Sequence, residues 1–151
     1  EESSRVMSLR DGTKKMSKSE TSSMTRIELR DENDLIIKKI SKAKTDPFPI
    51  PESIGELDNR PEVKNLLNIF SSLNEEPILN ILNNYSGKQF SDFKNDLSDL
   101  LINRLSPIRQ ELIKIDNDEG FLREVLNDGA IKAREKSEKN IKEIKKIIGL
   151  G

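Results

Sequence analysis

The stretch FSDFKNDLSDLLINRLSPIRQELIKI, residues 90–115, determines most of the fold. Its apolar residues recur every three or four positions over about seven turns, which is the spacing of one face of an α-helix. They are Phe90, Phe93, Leu97, Leu100, Leu101, Leu105, Ile108, Leu112 and Ile115. The pattern predicts one long helix, and Pro107 is expected to kink it because proline removes a backbone hydrogen bond inside a helix.

Further helices are predicted on both sides of this stretch. Pro61 suits the first turn of a helix with an apolar face, and a short helix is predicted near residues 77–84. After residues 116–118, apolar spacing predicts one or two final helices, with residues 128–129 as the candidate break. The sequence therefore predicts a mainly α chain whose part from residue 61 onward is an antiparallel helical bundle.

Composition narrows the chemistry that the chain can perform. Charged residues make up 35% of the 151 residues and hydrophobic ones 33%, and the net charge is -1. A nearly neutral chain must bind nucleic acid through local basic faces, not through a global field. There is no cysteine or histidine, which removes the usual metal ligands and the usual general base, so no metal site is predicted. No apolar run reaches the roughly 18 residues of a membrane span, so we expect a soluble, cytoplasmic protein.

The first 61 residues have a different organisation. Two short alternating segments, Arg5 to Leu9 and Thr25 to Arg30, are predicted as strands. A helix is predicted from about residue 32 to 44, because acidic residues come first and lysines last, in accord with the helix dipole. Residues 45–61 hold four prolines and one glycine, and they predict an ordered linker without regular structure.

Between the two predicted strands lies KKMSKSE, residues 14–20, called the lysine loop below. It is too polar to belong to a core, and its lysines and hydroxyls are suited to binding a polyphosphate. The glycine-rich spacing of a P-loop is absent. A solvated surface loop is the alternative for any two lysines spaced by three, but the full string Lys15 to Ser19 should occur by chance in roughly one such sequence in a few thousand.

That string resembles the KMSKS signature of class I aminoacyl-tRNA synthetases. In its wider context, RVMSLRDGTKKMSKS at residues 5–19, it resembles the tryptophanyl-tRNA synthetases in particular. The resemblance extends through the helix ending in Ala43 to Asp46, through Arg60-Pro61 with Asn65 to Leu67, and through VLNDGAIKA at residues 125–133. Two departures, Glu20 in place of Asp and Ser22-Ser23 in place of a Pro-Asn-like turn, lead us to expect altered loop closure.

The resemblance implies a ligase that joins tryptophan to tRNA(Trp) in two steps, with ATP as a substrate that carries Mg²⁺. Lys15 and Lys18 would stabilise charge on the leaving pyrophosphate in the first step. By the same resemblance, Ser17 and Ser19 would add phosphate contacts. Residues near the adenine would be Val6, Met7 and Met16.

The resemblance also implies a division of the chain. Residues 1–46 would be the end of a catalytic domain of Rossmann type, 47–61 a linker, and 62–151 a helical anticodon-binding domain. The chain would then be the C-terminal part of a ligase, inactive alone, whose full-length parent is a homodimer through the missing part. Two other interpretations stay open: a non-catalytic helical RNA-binding or scaffold module, and a tyrosine-specific relative.

Within the helical part, three cations are candidates for contact with tRNA: Arg104, Arg109 and Lys114. The alternative for each is that it only solvates a helix face. Phe90 and Phe93 suggest stacking on bases, but their helical spacing favours the core.

Overall fold

The computed structural model describes residues 5–150, so the ends of the predicted first and last domains lie outside it. The chain is mainly helical, which confirms the predicted fold class. Its regular elements are β1 (Met7–Ser8), β2 (Asp11–Lys15), α1 (Asn33–Ser41), α2 (Pro61–Asn74), α3 (Ile78–Tyr85), α4 (Phe90–Asp116) and α5 (Glu119–Ile147), with 3-10 helices at Ser23–Thr25 and Ile54–Asn59.

The two strands form an antiparallel hairpin near the start of the chain. Met7 lies opposite Lys15 and Ser8 opposite Asp11, with an irregular register between these pairs. The second strand, β2, lies before the lysine loop and not after it, and it consists of polar residues without alternation. The prediction of a strand over Thr25 to Arg30 is therefore wrong. Thr25 ends a 3-10 helix instead.

Gly12, in β2, makes a close approach to the first turn of α2. A Cβ atom at this position would lie 2.4 Å from the carbonyl carbon of Pro61 and 2.5 Å from the backbone nitrogen of Glu62. A Cβ atom this close to the backbone of α2 would clash with it, and only a shift of the helix could relieve the clash. Only glycine therefore allows the hairpin to lie directly against α2.

One hydrophobic core joins the hairpin, α1, the linker, α2, α3 and the first half of α4. Its buried members include Leu9, Ile36, Ile40, Ile50, Leu57, Val63, Leu66, Leu67, Phe70, Ile81, Leu82, Phe90, Phe93, Leu97 and Leu101. Phe93 stacks on Phe70 with ring centroids 5.5 Å apart and meets Tyr85 edge to face at 5.3 Å. The core interpretation of Phe90 and Phe93 is thus confirmed.

The linker is ordered by a paired arginine and by backbone pairing. The guanidinium of Arg60 donates two hydrogen bonds, of 2.7 and 2.6 Å, to the carboxylate of Asp46. Ile50 exchanges backbone hydrogen bonds of 3.0 and 2.9 Å with the loop between α3 and α4. The expectation of no regular structure is corrected at Ile54–Asn59, which forms a 3-10 helix behind a capping box.

The chain divides into two compact units, one ending at Arg109 and the other beginning at Gln110. The first unit holds the hairpin, the linker and the shared core, so the predicted boundaries at 46 and 62 do not separate compact bodies. The assignment of those segments to a catalytic and an anticodon-binding domain is functional and stays a prediction.

The second unit consists of the end of α4 and the whole of α5. Helix α5 has 29 residues and passes through residues 128–129 without a break, because a single glycine destabilises a long helix by only about 1 kcal/mol. It begins at the cap Asp118, whose carboxylate accepts from the N–H of Phe121 at 2.9 Å. No residue of α5 is buried. The kink at Pro107 inside α4 stays a prediction.

Candidate functional site

The lysine loop begins at the end of β2 and presents two cations to solvent. Lys14 and Lys15 are the last two residues of that strand, so the connecting segment starts at Met16. Lys14 forms an ion pair with Asp11 at 3.3 Å. The side chains of Lys15 and Lys18 are exposed and form no ion pair or hydrogen bond with residues 5–150. Two uncompensated ammonium groups are therefore available to an anionic ligand.

The loop closes on itself through its two serines. The hydroxyls of Ser17 and Ser19 lie 3.0 Å apart, and the N–H of Ser19 donates to the Ser17 hydroxyl at 3.4 Å. The N–H of Met16 donates to the carbonyl of Val6 at 3.0 Å. The structure thus brings the two predicted serines into contact on either side of Lys18, and it pairs the backbones of two of the predicted adenine-contacting residues, Met16 and Val6.

A buried amide on α2 holds the hairpin in position. The N–H of Met7 donates to Oδ1 of Asn65 at 2.9 Å, and Nδ2 of Asn65 donates to the carbonyl of Met7 at 2.9 Å. Asn65 is only 4% exposed. Its amide therefore pairs with the β1 backbone as a neighbouring strand would. Sequence reasoning missed this role, although Asn65 is a polar residue beside an apolar helical stripe and within a segment that carries the resemblance.

An apolar pocket of about 250 Å³ lies beside the loop. Val6 and Met16 line one side, together with Ile27 and Leu29, and residues of α2 and α4 line the other. Met7 is instead engaged through its backbone by α2. The pocket is smaller than a typical complete ligand site, which has about 300–1,000 Å³, so it is suited to an apolar group or to part of a ligand.

Ion pairs and hydrogen bonds keep the carboxylates around the hairpin ionised. A hydrogen bond from Lys44 to Glu62, 2.6 Å long, lowers the pKa of Glu62, and the same contact raises the pKa of Lys44. The hydroxyl and the N–H of Thr13 lower the pKa of Asp11. These carboxylates already have partners, so they do not compensate the charges of Lys15 and Lys18.

A larger groove of about 690 Å³ follows the linker. Its one cationic lining residue, Arg60, is bound to Asp46, and its other charged lining residues, Glu52 and Glu56, are acidic. The lysine loop is therefore the stronger candidate for an anionic ligand. Within residues 5–150, no cluster of three or more acidic, histidine or cysteine side chains is arranged to hold a metal ion. A search of the same residues finds no helix that combines the length and apolarity needed to cross a membrane.

The three candidate tRNA contacts all lie on α4 but have different surroundings. Arg104 is exposed. The guanidinium of Arg109 donates to the carbonyl of Asp31 and, at 2.8 Å, to Oδ1 of Asn33. Lys114 pairs with Glu111 at 2.5 Å. Arg109 therefore ties α4 to the start of α1, which gives it a structural role whether or not it meets RNA.

The segment that contains the hairpin, the lysine loop and the helical core matches a known family. The family model described as "tRNA synthetases class I (W and Y)" matches residues 3–106. The chain therefore belongs to this class I tRNA synthetase family.

Similar proteins carry the name tryptophan-tRNA ligase or tryptophanyl-tRNA synthetase. The tryptophan-tRNA ligase of Rickettsia felis is 46% identical over 149 residues, which are 99% of this chain and 44% of that protein. The tryptophanyl-tRNA synthetase structure from Mycoplasma pneumoniae is 31% identical, with a TM-score of 0.74, over 97% of this chain and 46% of its own. That from Campylobacter jejuni, complexed with ADP and tryptophan, shares the fold at 24% identity, with a TM-score of 0.73, over 97% of this chain and 44% of its own. The chain thus spans less than half the length of these proteins.

Proposed function

We propose that this chain is part of a tryptophan-tRNA ligase and supplies that enzyme's lysine loop and adjoining helical region. The observation that supports this most directly is a pair of lysines without partners among residues 5–150: Lys15 at the end of a hairpin fixed to α2, and Lys18 in the loop that follows it. The relatives' names favour tryptophan over tyrosine.

In the proposed reaction, the carboxylate of tryptophan attacks the α-phosphorus of MgATP. The bond from the α-phosphorus to the α–β bridging oxygen breaks and pyrophosphate leaves. A terminal ribose hydroxyl of tRNA(Trp) then attacks the carbonyl carbon of tryptophanyl-adenylate, and AMP leaves. Negative charge grows on the pyrophosphate as it leaves, so Lys15 and Lys18 stabilise the transition state more than the bound ATP. The Ser17 and Ser19 hydroxyls donate to phosphate oxygens.

The adenine would lie against an apolar surface beside the loop. Val6 and Met16, which share the 250 Å³ pocket, and Met7 on β1 would form this surface. The fixed backbone of Met7 supports this assignment, because a rigid strand can position a planar base better than a free segment.

The helical part would carry anticodon recognition. Residues 62–151 are proposed as this domain, with exposed Arg104 as the first candidate contact and Arg109 and Lys114 as weaker ones because both have internal partners. We also infer that the full-length enzyme acts in the cytoplasm and forms a homodimer through a part outside this chain.

The decisive experiment is amino-acid-dependent exchange between ATP and pyrophosphate. The full-length gene product is assayed with tryptophan and with tyrosine, and the 151-residue chain serves as the blank. Exchange with tryptophan alone, absent from the blank, is the expected result. Exchange with tyrosine alone would assign a tyrosine-specific relative, and exchange with neither would favour a non-catalytic RNA-binding or scaffold module.

A further inference from the structure

The guanidinium of Arg26 connects the far end of the lysine loop to the segment that follows it. Its Nη1 donates to the carbonyl of Glu20 at 3.0 Å and, more weakly, to the carbonyl of Ser22 at 3.4 Å. Its Nε donates to the carboxylate of Glu28 at 2.7 Å. The Arg26 side chain is only 15% exposed, whereas Glu20 and Ser22 are exposed, so Arg26 contacts the loop from a largely buried position.

Beyond Glu28, the contacts lead to a buried ion pair. The N–H of Glu28 donates to Oδ2 of Asp31 at 2.8 Å. The same oxygen accepts from Nζ of Lys39 at 2.5 Å, and the two side chains are 6% and 0% exposed. Arg26 thereby attaches an exposed loop to a fixed point in the interior.

The chain just after the loop is held without Arg26. The carbonyl of Thr25 accepts from the N–H of Leu9 at 2.9 Å. The Thr25 hydroxyl donates to the carbonyl of Ser22 at 2.8 Å. For residues 17–21, by contrast, the described structure contains one hydrogen bond to a residue outside the loop, from Arg26 to Glu20. Loss of the guanidinium would therefore release the loop itself and leave its C-terminal base in place.

We propose that Arg26 is a positioning residue for the lysine loop. It limits the conformations of the residues around Lys18, which lies two positions before the anchored Glu20. The inference rests on the proposed function, since positioning has a kinetic consequence only where Lys18 meets a substrate. A cation aimed at the leaving pyrophosphate must be preorganised, because ordering a free loop during the reaction would cost conformational entropy.

A double-mutant cycle tests whether Arg26 acts through Lys18. Arg26→Ala, Lys18→Ala and the double variant are compared in the full-length gene product by tryptophan-dependent ATP/pyrophosphate exchange. Arg26→Ala is expected to lower kcat roughly 10- to 100-fold, the scale for a misplaced catalytic group, with a smaller change in KM for ATP. In the Lys18→Ala background, the same change is expected to cost roughly 2-fold or less, because coupled residues are non-additive.

Control variants separate positioning from folding. Arg123→Ala removes an exposed arginine of α5 and is expected to leave both kcat and Tm unchanged. Arg26→Lys keeps the charge but cannot donate to a carbonyl and to Glu28 with the same geometry, so partial recovery of kcat is expected. Unchanged kcat in Arg26→Ala, or an equal loss in both Lys18 backgrounds, would overturn the proposal.

A readout that is independent of activity distinguishes failure of this inference from failure of the proposed function. If the unmodified protein shows no exchange, the ligase proposal fails, and the anchoring by Arg26 is tested by limited trypsin digestion. Cleavage after Lys18 is expected to be at least roughly 3-fold faster in Arg26→Ala, because proteases act on locally opened chain, with cleavage after Lys88 as the reference. Equal rates at Lys18 would show that Arg26 does not anchor the loop.

Discussion

Lys14 and Lys18 differ in environment although only three residues separate them. Lys14 is paired with Asp11 at 3.3 Å, whereas Lys18 is exposed and has no ion pair with residues 5–150. We predict that Lys18→Ala raises the activation free energy of adenylate formation by about 2–4 kcal/mol, the scale of one lost preorganised donor. Lys14→Ala removes the same charge and should change the rate little. Pyrophosphate exchange in the full-length gene product measures both, and equal effects would remove Lys18 from its assigned role.

Asn65 is the second residue whose contribution can be isolated. Asn65→Ala would leave both the N–H and the carbonyl of Met7 without their partner, in a region that water reaches poorly. Because each unsatisfied buried group costs about 1–3 kcal/mol, we predict a loss of about 2–4 kcal/mol in the free energy of unfolding. Asn80→Ala, at an exposed site on α3, is the matched control. Urea unfolding measures the difference, and a loss no larger than that of the control would contradict the strand-like role of the amide.

Helix α1 combines ordinary surface lysines with one that is completely buried. Lys38 is exposed, whereas Lys39 is 0% exposed and bonds to Asp31 at 2.5 Å. Removing one partner of a buried pair leaves the other charge uncompensated, so Lys39→Met is predicted to lower the free energy of unfolding by about 3–5 kcal/mol. Lys38→Met on the same helix should cost little. Chemical denaturation of the two variants provides the comparison, and similar midpoints would show that Asp31 is stabilised by other contacts.

The elements differed in how well the sequence predicted them. The long helices were predicted from apolar stripes at helical spacing and α1 from the order of its charges, and Pro61 marks the first residue of α2 as expected. Strand β2 was missed because its position depends on contacts that are distant in the chain. Gly12 must lie against Pro61, and Met7 in the facing strand must meet Asn65. Local hydrophobic periodicity does not reflect these contacts. The alternating segment after the loop, Thr25 to Arg30, was therefore predicted as the second strand.

For the candidate site, the sequence predicted the loop and its residues better than their supports. The lysines and serines of the loop were predicted from a contiguous string, and their roles stay predictions, while the structure shows the hydroxyls of Ser17 and Ser19 in contact. The residues that hold this string, Asn65 and Arg26, each act mainly through two hydrogen bonds to backbone groups. Such bonds depend on the fold and leave no periodic or compositional signal.

The acid sensitivity of the whole molecule should depend in part on Glu62. Its hydrogen bond with Lys44 lowers its pKa from the ordinary value of 4.5, so the unfolded chain binds a proton more readily than the folded one. The stabilisation that this hydrogen bond gives the folded protein is present above pH 4.5 and is lost as the pH falls through the lower, folded-state pKa of Glu62. We predict that Glu62→Gln loses less stability than the unmodified protein between pH 5 and about pH 3.

The matched control for this prediction is Glu52→Gln. Glu52 is exposed in the linker and forms no ion pair with residues 5–150. Urea unfolding across the acid range should give the control the same slope of unfolding free energy against pH as the unmodified protein. A Glu62→Gln slope equal to that of the control would indicate that the contact with Lys44 contributes nothing to acid denaturation.

The bond between Met7 and Asn65 also has a consequence for the order of events during protein synthesis. The two residues are 58 positions apart, and ribosomes add about 5–20 residues per second. The hairpin therefore leaves the ribosome roughly 3–12 s before the helix that supports it. An isolated two-stranded hairpin is marginally stable at best, so the nascent lysine loop stays unsupported for that interval. Its final geometry is acquired only after α2 has been translated.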